Sequence, residues 1–198
     1  TVIVLGSGPV GLMVQKFAWL KGASRVIVVD PLSYRLDHAK RTNQVEIFNF
    51  DDFDNIGEHL WEITKGGADV VIDCVGMDGK LKFYEKIEQK LKLQGGTLSA
   101  IQVAIKAVRK FGTIQLTGVY GSIYNLFPLG TMFERNITLK MGQAPAIHTS
   151  PLLYEMVTQG KIDPTDILTH KMPLAEASDA YRMFHDHEDQ SIKFILKP

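Results

Sequence analysis

The chain has 198 residues, 45% of them apolar, with 22 basic side chains balanced by 22 acidic ones. That supplies a substantial core, as one large domain or a domain with an appendage, and zero net charge gives no basis for a nucleic acid or other polyanion as partner. The single cysteine, Cys74, excludes a disulfide framework and a cysteine-based metal cluster, and no apolar run is long enough to span a membrane. No secretory leader is visible, so a cytoplasmic protein is expected. The chain opens inside a strand without an initiator Met, which reads as a piece of a longer protein.

The stretch from Thr1 to Asp30 organises the rest. Val2 to Leu5 is an apolar run rich in β-branched residues, the pattern of a central parallel strand covered on both faces. Gly6, Gly8 and Gly11 then form G-x-G-x-x-G. In a dinucleotide site the first glycine permits a tight turn, the second lets a pyrophosphate approach the backbone, and the third lets the helix pack close to the strand. Pro9 suits the opening turn of that helix, where its missing N–H removes no intrahelical bond. The first-turn N–H groups and the positive dipole end point at an anion over Gly8, Pro9 and Val10. Asp30 follows a second buried strand, Arg25–Val29, and its carboxylate suits a ribose diol while repelling a 2′-phosphate, which favours NAD over NADP. The plainer reading is a doubly wound fold whose turn binds nothing, with Asp30 a strand-end cap.

Leu12 to Lys21 is the first helix, with Leu12, Phe17 and Leu20 as buried candidates and Gly22 as its stop. A helix over Pro31–Arg41 and a strand over Val45–Phe48 follow. Asp51, Asp52 and Asp54 form an acidic cap for a helix over Ile56–Thr64; a calcium loop there lacks the required Gly and Glu spacing. Ala68 to Val75 is a fourth strand containing Cys74, read as a small buried hydrophobe. Lys80 to Leu93 is an amphipathic helix with a solvated lysine face, ended by Gly95-Gly96. Ser99-Ala-Ile-Gln102 reads as a capping box opening a helix to about Lys110. Strands over Thr113–Thr117 and Ile137–Met141 flank a polar, aromatic loop from Gly121 and a short helix near Leu129–Phe133. Beyond them the rhythm changes: a helix over Pro151–Gln159, a strand over Asp166–Lys171, a helix over Leu174–His185 and a strand over Ile192–Leu196.

Several short motifs occur together in order. They are Gly6-Ser-Gly-Pro-Val-Gly11, Val29-Asp30 with Tyr34-Arg-Leu36, Val71-Ile-Asp-Cys-Val-Gly76, and Gly112-Thr-Ile to Gly118-Val119. Further on come Arg135-Asn-Ile-Thr-Leu-Lys-Met-Gly142, Thr169-His-Lys-Met-Pro-Leu174 and Lys193 to Pro198. With these, the chain resembles the coenzyme-binding part of the zinc-dependent medium-chain alcohol dehydrogenases, most closely the glutathione-independent formaldehyde and general alcohol dehydrogenase branch. The resemblance implies an α/β fold, a Rossmann doubly wound six-stranded parallel sheet over residues 1–144. Residues 145–198 would return to a catalytic domain and lack their packing partner here. It also implies NAD as coenzyme and reversible oxidoreduction of a small alcohol or aldehyde. Asp30 would hold the adenosine ribose, Arg35 would lie beside the adenine, and Val75 and Gly76 would flank the adenine and ribose. Val119, Gly142 and Ala144 would line the nicotinamide, and Lys193 would approach the pyrophosphate. The family's zinc ligands precede the glycine motif, so zinc is expected only in the full-length protein and no catalytic residue in this chain. Two coenzyme domains would pair through their sixth strands as a homodimer.

The cluster His185-Asp-His-Glu-Asp189 is the one local metal temptation, and its two histidines lack i, i+4 spacing, so no metal ligand is assigned. His148 and His170 are read as structural. Two alternatives stand beside the dehydrogenase reading. An NAD(H)-sensing binding module would need only the sheet, and a flavoprotein nucleotide domain more often carries Glu at the position of Asp30.

Overall fold

Alternation along the strands divides the core into two layers. In the computed structural model, which describes residues 1–75, 98–118 and 127–198, strand β1 (Val2–Leu5) sends Ile3 and Leu5 to one face and Val4 to the other. Strand β2 (Val26–Asp30) does the same with Ile27 and Val29 against Val26 and Val28. Both faces are covered, which is why these strands read as continuous apolar runs. Helices α1 (Pro9–Leu20) and α2 (Ser33–Asn43) cover one face through Leu12, Ala18, Leu36 and Ala39. Helices α3 (Ile56–Ile63) and α4 (Leu98–Ala107) cover the other through Ile56, Leu60, Ile101 and Ala104.

The remaining strands are β3 (Glu46–Asn49), β4 (Ala68–Asp73), β5 (Val108–Leu116) and, after helix α5 (Leu129–Glu134), β6 (Thr138–Met141). All pairings in this six-stranded sheet are parallel, in the order β3-β2-β1-β4-β5-β6. That is the doubly wound order of the Rossmann fold, as expected. Gly76, Val119, the Lys80–Leu93 helix, the Gly95-Gly96 break and residues 121–126 of the polar loop lie outside the described residues.

Local differences from the expected elements have physical causes. The helix expected to reach Lys110 stops at Ala107, because Val108 is already paired with Ala68 in the sheet. Thr113 pairs with Val70, so residues 109–112 bulge opposite Asp69, with Phe111 in the left-handed region at φ 58°. Ser99, expected to precede the helix, falls within its Leu98–Ala107 span. The three aspartates do not cap α3 either. Asn55 does: its Oδ1 accepts the Glu58 N–H at 3.2 Å and its Nδ2 donates to Glu58 Oε2 at 2.9 Å, reciprocal bonds a carboxylate cannot make. Strand β4 ends at Asp73, leaving Cys74 just past it.

Beyond the sheet, helix α6 (Ala146–Thr158) starts five residues before Pro151, which sits inside it. A 3-10 turn at Thr165–Ile167 takes the place expected for the start of a strand, and β7 (His170–Pro173) pairs in parallel with β8 (Phe194–Lys197) around helix α7 (Ala177–Asp186). Helix α6 has no buried residue, and Ile147 is 94% exposed. The rest of the segment contacts the layer of α1 and α2. Ile192 is buried in the layer of α1 and α2, Lys16 Nζ meets Asp166 Oδ2 at 2.5 Å, and Tyr34 Oη donates to the Ser191 carbonyl at 3.2 Å.

Candidate coenzyme site

Because the sheet is wholly parallel, the C-terminal ends of its strands open on one edge. That edge carries Gly6, Asp30, Cys74, Val75, Thr117 and Gly142. In such sheets this is where ligands bind.

The three glycines differ in what requires them. Gly6 has φ 94°, and a Cβ there would stand 3.0 Å from the Cys74 carbonyl oxygen. A Cβ on Gly11 would stand 2.0 Å from the Gly6 carbonyl oxygen, which no side chain could survive. Gly8 is different: its nearest neighbour would be Arg35 Nη1 at 3.7 Å, an ordinary contact. The protein's own packing explains Gly6 and Gly11 and leaves an open approach over Gly8. Pro9 is the first residue of α1, and the first intrahelical bond runs from the Leu12 N–H to the Gly8 carbonyl at 2.9 Å. The N–H groups of Val10 and Gly11 precede that ladder, and Val10 is exposed.

Asp30 is only 3% exposed. Its Oδ2 accepts the Ser7 N–H at 2.7 Å and its Oδ1 accepts the Leu32 N–H at 2.9 Å, so the carboxylate ties the glycine turn to the loop after β2. Arg35 is buried with its guanidinium against the same turn. Nε donates to Tyr34 Oη at 3.2 Å and Nη2 lies 3.4 Å from His187 Nδ1, bringing the end of α7 onto the site. Asp73 is fully buried; its Oδ1 accepts the Val75 N–H at 3.0 Å, and its carbonyl accepts the N–H groups of Thr117 and Gly118. The Asp73 backbone carbonyl thus joins the ends of β4 and β5 while its carboxylate ties down the turn after β4, a role its place in a sequence motif did not show. Burial, then the Asp73 charge, pushes the Cys74 thiol well above its ordinary value.

Gly142 (φ 144°) and Ala144 are exposed on the segment after β6, and Lys193 is exposed just before β8. Among the described residues no hydrogen bond links these three to the glycine turn. Sequence reasoning missed Ser7, Gln15 and Asn43, polar side chains buried beside the turn. Among the described residues no three His, Cys, Asp or Glu side chains are grouped to hold a metal. His187 faces Arg35, and His170 stacks on Phe194 with Nε2 3.1 Å from Asp189.

A glycine turn between β1 and α1, a carboxylate ending β2 and an open strand edge define a Rossmann-type coenzyme-binding domain. Residues 9–86 match the family model described as zinc-binding dehydrogenase. The chain is 60% identical over its full length to a zinc-type alcohol dehydrogenase-like protein, AdhB, of Bacillus subtilis (strain 168), covering 52% of that relative. Zinc-dependent alcohol dehydrogenase 2 of Streptococcus pneumoniae, in its apo form, superposes with a TM-score of 0.80 at 26% identity over 99% of this chain and 51% of that one. An Escherichia coli CFT073 alcohol dehydrogenase solved in complex with NADH has the same fold, with a TM-score of 0.77 at 20% identity over 100% of this chain and 52% of that one. The chain is thus similar to the zinc-type alcohol dehydrogenases, and it spans about half the length of the relatives it matches.

Proposed function

We propose that this chain is the NAD-binding part of an enzyme that interconverts small alcohols and aldehydes. The observation that carries the reading is the pairing of an open Gly8 with a buried carboxylate one hydrogen bond from it in sequence: Asp30 accepts the Ser7 N–H at 2.7 Å. A relative of the same fold is solved with NADH, which supports the nicotinamide class.

Bound NAD would supply the hydride acceptor. The chain's own groups would do the rest. Gly8 and the N–H groups of Val10 and Gly11 would receive the pyrophosphate at the positive end of α1. Asp30 would take the ribose diol and disfavour a 2′-phosphate. Arg35, clamped by Tyr34 and His187, would bound the adenosine side together with Val75 and Gly76. Val119, Gly142 and Ala144 would line the nicotinamide, and Lys193 would add positive charge near the pyrophosphate. The described residues do not fit zinc, because they offer no group of three or more His, Cys, Asp or Glu side chains that could hold it. Zinc in the full-length protein would need ligands from elsewhere in it. No helix among the described residues is long and apolar enough to cross a membrane. The edge strand β6 would pair with its copy in a homodimer.

Titration with NAD⁺ and NADP⁺ tests the reading. NAD⁺ should bind the more tightly; equal or tighter binding of NADP⁺ would overturn it.

A further inference from the structure

A chain of polar side chains runs through the layer that α1 and α2 place against the sheet. Ser7 and Gln15 are wholly buried and Asn43 nearly so. Asn43, the last residue of α2, donates from Nδ2 to the Leu12 carbonyl at 3.0 Å and to Gln15 Oε1 at 2.7 Å. Gln15 in turn donates from Nε2 to Ser7 Oγ at 3.2 Å. Ser7 donates from Oγ to the Arg35 carbonyl at 3.4 Å and from its N–H to Asp30 at 2.7 Å. The bonds run in one direction, from the end of α2 through the second turn of α1 to the residue between the first two glycines.

Stability alone does not account for this chain. Among the described residues Asn43 Oδ1 is buried without a hydrogen-bond partner, and a partly satisfied buried network is worse than apolar side chains of the same volume. What the network does is fix a peptide unit. Ser7 is held by its hydroxyl on two sides, and its N–H, part of the Gly6–Ser7 peptide, is held by Asp30, so the residue leading into Gly8 is anchored.

We propose that Gln15 is a positioning residue for the coenzyme. Acting through the Ser7 hydroxyl, it anchors Ser7 and the Gly6–Ser7 peptide, so that Gly8, the next residue, and the first N–H groups of α1 meet a dinucleotide pyrophosphate without reorganising. Gln15 itself is fully buried in the second turn of α1 and touches no ligand. The inference rests on the coenzyme reading above and adds a residue that no glycine motif contains.

The test is calorimetric titration of the full-length protein with NAD⁺, with thermal denaturation measured in parallel. Gln15→Met preserves volume and removes both hydrogen bonds; Ser7→Ala deletes the hydroxyl that receives one of them. Each should weaken NAD⁺ binding about tenfold, the scale of one buried hydrogen bond. The double variant should bind no more weakly than Ser7→Ala alone, because the two act through one contact. A merely structural Gln15 would lower the melting temperature and leave NAD⁺ affinity intact, or would keep its full effect in the Ser7→Ala background; either result overturns the proposal. If Gln15→Met does not fold, unchanged affinity in Ser7→Ala overturns it. A wild type that binds no NAD⁺ overturns the coenzyme reading and this inference together, whereas tight wild-type binding unmoved by either variant overturns this inference alone.

Discussion

A β-carbon on residue 11 would lie 2.0 Å from the carbonyl oxygen of Gly6. Both partners are backbone, one in the first turn of α1 and the other at the end of β1, so neither can swing aside. Alanine at this position would gain about 1 kcal/mol of helix propensity over glycine. The clash outweighs that gain, and Gly11→Ala should destabilise by at least about 3 kcal/mol. Urea denaturation measures it; a variant as stable as the wild type would mean that α1 sits farther from β1 than described.

Asp30 accepts two backbone N–H groups while almost wholly buried. In Asp30→Asn one of those donors must face an amide NH₂ group, leaving two donors opposed. We expect a loss of about 1–3 kcal/mol in stability, the usual cost of an unsatisfied buried group. The preference for NAD⁺ over NADP⁺ should shrink with the negative charge. Paired titrations and melting curves check both effects, and an unchanged coenzyme preference would remove Asp30 from the specificity argument.

The motif residues were legible because their demands are local. A glycine turn, a strand and a terminal carboxylate declare themselves within thirty residues of one another, and Gly6, Gly11 and Asp30 sit where that logic puts them. Gln15 was not legible. The apolar pattern of α1 nominated Leu12, Phe17 and Leu20 for burial, yet Leu20 is 44% exposed and Gln15 is fully buried. What buries Gln15 is Ser7 and Asn43, the second from another helix, and periodicity along one helix carries no information about that. The contact of His187 with Arg35 was hidden for the same reason, spanning most of the chain. The bulge at residues 109–112 was missed because pairing with β4, a tertiary event, overrode a helical pattern.

His38 supplies a prediction about pH. It is buried on α2, and its ordinary imidazole value is lowered, first by burial and then by the Arg41 guanidinium 3.3 Å from Nδ1; Lys16 acts the same way and Asp166 opposes them. The unfolded chain therefore binds the proton more readily than the folded one. His38 contributes stability that is fully present above its unfolded value of 6.5 and is lost as pH falls through the lower folded value. Denaturation of wild type and His38→Gln across this range should show a slope of up to about 1.4 kcal/mol per pH unit in the wild type that the variant lacks. Parallel curves for the two proteins would show that His38 does not titrate differently on folding.

Among the described residues strand β6 is paired only with β5, from Thr138 opposite Thr113 to Met141 opposite Leu116, and Met141 is 62% exposed. An open edge of this kind invites a second copy, although Lys140 on it acts against pairing. We expect a dimer by light scattering and a monomer for Thr138→Pro, which cannot donate to a partner strand. A monomeric wild type, or a dimeric proline variant, would place the interface elsewhere.

The central position of β1 has a consequence for synthesis. It leaves the ribosome before the other strands of this sheet, yet it is flanked by β2 on one side and by β4 on the other, with Leu5 opposite Asp73. The βαβ unit through Asp30 can assemble as soon as it emerges, while the opposite rim of β1 stays bare until residues 68–73 have been translated. During that interval the nascent chain carries an apolar strand with an open rim, which is where holding chaperones act and where truncated products would stick to one another.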